Sequence, residues 1–198
     1  MKNINYPNGI KKEFINIKSH SNRGMNLEAD LNDTNEYYIY NDIAVIHKKP
    51  TPITINKVDY KSRKDAVITE AHFKTPSTTD YNGIYKGKYI DFEAKETKSL
   101  TSFPLSNIHD HQIKHLEKIY NHGGIGFIIV KFTNLNKTYL LFIKDLINFI
   151  KSENRSSIPI SYFDKNGYII NEGISPRLDY LKIIDQKGVE LWKNLERI

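Results

Sequence analysis

Three observations predict an α/β fold, a mixed central sheet flanked by helices. Apolar residues recur at helical spacing in two separate stretches, Leu27, Leu31 and Tyr38 in one and Ile113, Leu116 and Tyr120 in the other. Short apolar runs of strand length, Gly126–Phe132 and Thr138–Ile143, follow the second stretch. At 198 residues, with no internal repeat and no low-complexity linker, the chain suits a single domain with an elaboration rather than two large domains.

Taken in order, residues 1–25 are polar and carry Lys11, Lys12, Lys18 and Arg23, which reads as a basic arm. A first helix is expected from about Asn26, its N-cap, to Asn41. Ile43 to His47 reads as a buried strand, broken by Lys48-Lys49-Pro50-Thr51-Pro52, and Ile53 to Val58 as a second extended segment. Residues 59–77 place Ala66, Val67, Ala71 and Phe73 among Lys57, Lys61, Arg63, Lys64 and Lys74 without a clean period, as an insertion does. Thr79 to Lys95 reads as a pair of strands. A helix is then predicted from Ser106, as N-cap, to about Asn121, with Gly123 ending it. Two strands around Asn134-Leu135-Asn136 follow, then a helix near Asp145–Lys151, a helix near Arg177–Ile184 and an amphipathic tail holding Trp192.

Composition sets outer bounds. Hydrophobic residues make up 39% and charged residues 26%, enough apolar surface to fold around a core. The absence of cysteine excludes disulfides, thiolate nucleophiles and cysteine-ligated metals, and is compatible with a reducing, cytoplasmic setting. The polar start lacks a secretory signal, and Phe127–Val130 and Tyr139–Ile143 are too short to cross a bilayer, so no membrane association is expected. A net charge of +6 favours polyanionic partners, nucleic acid above all.

The stretch from Thr78 to Lys95 carries the chemistry. If the chain reverses at Lys86-Gly87, paired positions place Asp80 opposite Glu93 and Thr78 opposite Lys95. Alternation then gathers Thr78, Asp80, Glu93 and Lys95 into one patch. Opposed carboxylates, with β-carbons roughly 5 Å apart, destabilise a sheet unless a positive charge lies between them. Mg²⁺ suits that place, since it takes oxygen ligands and keeps waters that a phosphate can displace. Lys95 could orient the attacking water or stabilise charge on the phosphorane. The competing turn at Asn82-Gly83, the stronger hairpin dipeptide, would pair Asp80 with Tyr85 and leave the charges solvated.

Weaker features have plainer alternatives. His111 and His115 stand at i, i+4 spacing, as zinc ligands or as a packed or solvated pair. Gln112 and Glu28 read either as surface side chains or as contributors to a metal site. The basic cluster at Arg63 is either a solvated face or a phosphate-contacting surface.

Longer strings carry a family resemblance. Asn22-Arg23-Gly24-Met25 with Leu27-Glu28, Asp42 to Pro52 (DIAVIHKKPTP), Pro76 to Gly83 (PSTTDYNG), Tyr89 to Lys98 (YIDFEAKETK), Thr101 to Leu105 (TSFPL) and Pro176 to Lys182 (PRLDYLK) closely resemble the RecU family of Holliday-junction resolvases, within the restriction-endonuclease-like superfamily. The resemblance implies one nuclease domain over 1–198, a mixed sheet of that superfamily's type, and a magnesium-dependent endonuclease, with Mn²⁺ as a substitute, that makes paired symmetric nicks in four-way junction DNA during recombination and repair. It implies that Thr78, Asp80, Glu93 and Gln112 surround Mg²⁺, that Asp80, Glu93 and Lys95 are catalytic with Lys95 as transition-state stabiliser, and that Asp80 faces Glu93. Thr79 stands where the superfamily usually has proline, as is usual in this family. Residues 59–77 match a protruding stalk expected to enter the junction centre, making Arg63, Lys64, Phe73 and Lys74, with Arg23 of the arm, DNA contacts. The arm is shorter and less glycine-rich than in typical members. A cytoplasmic homodimer is implied, with recombinase and branch-migration proteins as further partners.

Overall fold

The computed structural model describes residues 26–74 and 78–193. The predicted arm of residues 1–25, with Arg23, lies outside the described residues, as does 75–77 at the end of the predicted insertion.

Helix α1 (Leu27–Tyr40) begins as expected, with the Asn26 side chain accepting the Glu28 N–H at 2.9 Å. Strand β1 (Val45–Lys48) follows at the edge of the main sheet. The strand expected to be buried over Ile43 to His47 buries Ala44 and Ile46 and leaves Ile43 and Val45 exposed, because it is covered on one face and open on the other.

Strands β2 (Ile53–Asp59) and β3 (Val67–Phe73) pair only with each other, as a separate two-stranded sheet. Every residue of both is exposed. The insertion therefore begins at Ile53 rather than at residue 59, since the extended segment before it is the first arm of this hairpin.

Strand β4 (Tyr81–Tyr85) turns into β5 (Lys88–Thr97) at Lys86 and Gly87, which have φ of 47° and 74°. Positive φ at both central residues is the two-residue turn whose twist matches a hairpin. The resulting register pairs Tyr81 with Phe92 and Tyr85 with Lys88, so the reversal lies at Lys86-Gly87 and not at Asn82-Gly83. Gly83 has a different role. A Cβ there would lie 2.1 Å from the Val45 carbonyl oxygen and 2.6 Å from the Ile46 Cα, so β1 and β4 can approach only over a glycine.

Beyond β6 (Ser102–Pro104) and a single 3-10 turn at Leu105–Asn107, helix α2 runs over Asp110–Asn121. It starts later than Ser106 because the Gln112 side chain accepts the His109 N–H at 3.0 Å, fixing the first turn there. Strands β7 (Ile125–Phe132) and β8 (Lys137–Phe142) form the centre, followed by α3 (Ile143–Ser152). The sequence reading had no counterpart for β9 (Ser157–Pro159), α4 (Ile160–Asn166) or β10 (Tyr168–Ile169). Helix α5 (Tyr180–Lys193) is one element where a helix and tail were expected. It cannot start at Arg177, because Leu178 is bridged to Glu172 and its N–H is taken by Thr34 Oγ1 at 2.9 Å.

The main sheet has the order β1-β4-β5-β7-β8-β10. β5 and β7 are parallel and the other pairs antiparallel, so the sheet is mixed, as expected. Every residue of β7 is buried, and it splits by alternation between two cores. Phe127 and Ile129 join Ile90, Phe92, Leu31 and Tyr180, while Ile128 and Val130 join Leu116, Leu146 and Phe163. With Ile90 and Phe92 of β5 turned towards α1 and α5, Asp91, Glu93 and Lys95 face the opposite side, where α2 lies.

Candidate active site

Glu93 is completely buried, although it is a carboxylate on a sheet. Its Oε2 accepts the backbone N–H of Asp80 at 3.1 Å and its Oε1 lies 2.6 Å from Lys95 Nζ. The hairpin register brings Asp80, one residue before β4, to this position. Burial pushes the Glu93 carboxyl up to about 7; the Lys95 hydrogen bond pulls it down and the Asp80 charge raises it. Thr78 is half-buried, two residues before Asp80 at the head of the same segment.

Two neighbouring carboxylates, one of them buried, hold more negative charge than one lysine neutralises. Their oxygens are the donor type that a hard divalent cation selects, so the residues present fit such an ion. Burial reinforced by a nearby carboxylate and opposed by a lysine is also the pattern of a functional acid rather than of a surface ion pair.

The other expected residues divide into those near this pair and those apart from it. Glu28 forms an ion pair with Lys48 at 2.5 Å and lines a cleft of about 160 Å³ together with Asn26, Asp80 and Glu96. Gln112 is buried on α2, with Oε1 engaged by the His109 N–H, and no described hydrogen bond joins it to Asp80 or Glu93. The two histidines of α2 go separate ways. His115 Nε2 lies 3.1 Å from Asp91, while the His111 ring stacks on His109 with centroids 5.4 Å apart.

The candidate DNA contacts fall at two places on the β2–β3 hairpin. Arg63 and Lys64 are exposed in the bend at its tip. Phe73, 80% exposed, pairs with Ile53 at its base, and Lys74 follows, its N–H bonded to the Pro52 carbonyl. The six steps of β3 separate the two groups by about 20 Å at ~3.3 Å per residue.

Sequence reasoning missed Asp91. Its side chain is fully buried two residues before Glu93, on the same face of β5. Lys49 Nζ lies 3.0 Å from its Oδ2 and Tyr89 donates to that oxygen at 2.9 Å, while Thr79 hydrogen-bonds Oδ1. Strand alternation from Glu93 was the available signal, because it puts residue 91 on the active face.

The family model described as recombination protein U matches residues 22–186. Holliday junction resolvase RecU of Bacillus mycoides (strain KBAB4) is 52% identical over 193 residues, covering 92% of this chain and 96% of that protein. The protein of the same name from Bacillus cereus (strain B4264) is 51% identical with the same coverage. Among solved structures, Hjc of Archaeoglobus fulgidus, a Holliday junction resolvase, has a TM-score of 0.41 and 12% identity, covering 72% of this chain and 92% of that one.

Proposed function

This chain belongs to the RecU family of Holliday junction resolvases, nucleases of recombination that cut junction DNA, and from that premise we propose that it resolves four-way junctions by Mg²⁺-dependent paired nicks. The observation that carries the chemistry is the juxtaposition of Asp80, Glu93 and Lys95 at the end of the β4–β5 hairpin.

In this reading Asp80 and Glu93, with Thr78 and Gln112, hold the cation. A divalent ion held there, Mg²⁺ or Mn²⁺ in its place, would supply Lewis-acid polarisation of the scissile phosphate and a lowered pKa for bound water. Lys95, a quarter exposed, reaches from the buried carboxylate towards solvent and so can face the developing charge on phosphorus. Glu93 is fixed within β5, and Asp80, one residue before β4, is tied to it by its N–H on Oε2, so little reorganisation accompanies reaction.

The substrate's two-fold symmetry favours a homodimer that offers one site to each of two like strands. Supporting this is an open apolar row, Val45, Ile84 and Tyr89, which lies in register across β1, β4 and β5 on the face bearing the active site. The exposed hairpin with Arg63, Lys64, Phe73 and Lys74 would meet the branch point. A role in DNA repair within the cytoplasm follows from resolving junctions there; among the described residues no helix is long and apolar enough to cross a membrane.

The test is cleavage of a labelled mobile four-way junction and of a linear duplex of the same sequence, each with Mg²⁺ and with chelator. Symmetric, Mg²⁺-dependent nicks on opposing strands of the junction, with the duplex intact, are expected. Equal cutting of both substrates would overturn junction specificity, and a monomer by sedimentation in the presence of junction DNA would overturn the dimer.

A further inference from the structure

We propose that Asp91 is a positioning residue for the nuclease reaction: its buried carboxylate clamps the Thr78–Asp80 segment and helix α2 onto β5 and so sets the geometry of the cation site. The proposal rests on Asp80 and Glu93 forming that site.

Four groups from four parts of the chain converge on this one carboxylate. Thr79 Oγ1 meets Oδ1, Lys49 Nζ lies within 3.0 and 3.3 Å of the two oxygens, Tyr89 Oη is 2.9 Å from Oδ2, and His115 Nε2 is 3.1 Å from Oδ2. A wholly buried carboxylate is tolerated only when its oxygens are satisfied in this way. The identity of the partners gives the clamp its direction. Thr79 is the residue between Thr78 and Asp80, and Lys49 holds the same segment twice, through its Nζ on Thr79 Oγ1 at 2.9 Å and its N–H on the Asp80 carbonyl at 2.7 Å. His115 lies one helical turn beyond Gln112, so its contact with Asp91 pins the part of α2 that carries Gln112.

Asp80 itself precedes β4 and has no ladder partner of its own. Its N–H is bonded to Glu93 and its carbonyl to the Lys49 N–H, and the Lys49–Thr79–Asp91 linkage adds the side-chain anchor next to it. Asp91 points away from the hydrophobic core beneath β5, and packing does not require a carboxylate there. Partners of this kind, which orient ligands without touching the ion, typically account for ~10–100-fold in metal affinity or activity.

The experiment measures the Mg²⁺ concentration for half-maximal single-turnover cleavage of a four-way junction, metal-free junction binding and thermal midpoint of the purified protein. Asp91→Asn, Thr79→Val and Asp80→Asn are compared with the parent. Thr79→Val removes one arm of the clamp with no change of charge and almost none of volume, so it decides the matter even if Asp91→Asn folds poorly. The expected result is a rise in half-saturating Mg²⁺ of about tenfold or more for Thr79→Val, partly rescued by excess metal, with metal-free junction binding unchanged. An unchanged Mg²⁺ requirement in Thr79→Val, beside an Asp80→Asn variant that has lost metal response, overturns the clamp and leaves the site standing. An unchanged Mg²⁺ response in Asp80→Asn overturns the site reading itself, and the clamp with it.

Discussion

The Asp80 backbone N–H and the Glu93 Oε2 are 3.1 Å apart, so the segment that brings one acid to the site is hydrogen-bonded to the other. The two residues act as a unit. Asp80→Asn and Glu93→Ala are each expected to abolish cleavage while junction binding without metal is retained or tightened, because each removes negative charge beside a polyanion. Gel shift in chelator together with single-turnover cleavage checks this; metal-dependent cleavage at near-normal rate in either variant would sink the site assignment.

Proton and cation compete for Glu93. Burial chiefly raises its carboxyl from the ordinary 4.5 to about 7, so the metal-free enzyme keeps a proton through that window which an unfolded chain would have released. For folding, this contribution is present below about 4.5 and lost as pH rises through about 7. For metal binding the sign is reversed, since the ion needs the ionised form. Half-saturating Mg²⁺ should rise by up to about tenfold per pH unit below 7 and level off above it. Cleavage titrated with Mg²⁺ at several pH values tests it, and a flat requirement between pH 5.5 and about 8 would count against the assignment.

Lys95→Ala should lose cleavage by a factor on the order of a hundred or more while the protein still binds metal, as expected for one preorganised charge at a transition state. The 2.6 Å contact of Lys95 with Glu93 gives a second signature. Without the ammonium, the Glu93 carboxyl loses the strongest influence that lowers it, so the pH threshold for metal binding should move upwards. An unchanged single-turnover rate at saturating metal would remove Lys95 from the chemistry.

The active hairpin was legible in sequence because its information is local. Lys86-Gly87 supplies a residue free to take positive φ in the turn, and period-two alternation then fixes which side chains share a face. Asp91 lies on that same face, but its importance comes from Lys49, Thr79 and His115, which are distant in sequence or on another element. Nothing in a linear pattern announces such convergence. The hairpin of β2 and β3 was legible only in part. Ile53 to Val58 reads as an extended segment, and it is one, but its pairing with Val67–Phe73 and the exposure of both strands come from the tertiary fold.

Gly83 illustrates a non-local constraint hidden behind a local signal. Asn82-Gly83 reads as a turn, yet the glycine sits mid-strand where the β1 backbone leaves no room for a Cβ. Gly83→Ala should therefore destabilise the fold by about 1–3 kcal/mol or more, since strand β1 must move to accept it. For a chain of this size each kcal/mol lowers the melting temperature by roughly 2–4 °C. Denaturant unfolding measures the loss, and a variant as stable as the parent would show that β1 and β4 do not pack this closely.

The hairpin is expected to supply junction selectivity and no chemistry. Phe73 is 80% exposed, so it is not a core residue, and an aromatic ring held in solvent at a cost in hydration has a use when a base can stack on it. At a crossover, unpaired or strained bases are available, and stacking contributes about 1–3 kcal/mol per base. A linear duplex offers none. Arg63 and Lys64, about 20 Å away along β3, can meet phosphates. Phe73→Ala should thus weaken junction binding and cleavage while leaving duplex binding, the melting temperature and metal binding at Asp80 and Glu93 unchanged. Replacing Arg63 and Lys64 together by Ala should lower the salt dependence of junction binding by a slope of about 2, one phosphate contact each. A Phe73→Ala variant that keeps its full preference for junctions over duplex would remove the stacking role. A double variant with an unaltered salt slope would place the phosphate contacts elsewhere on the chain.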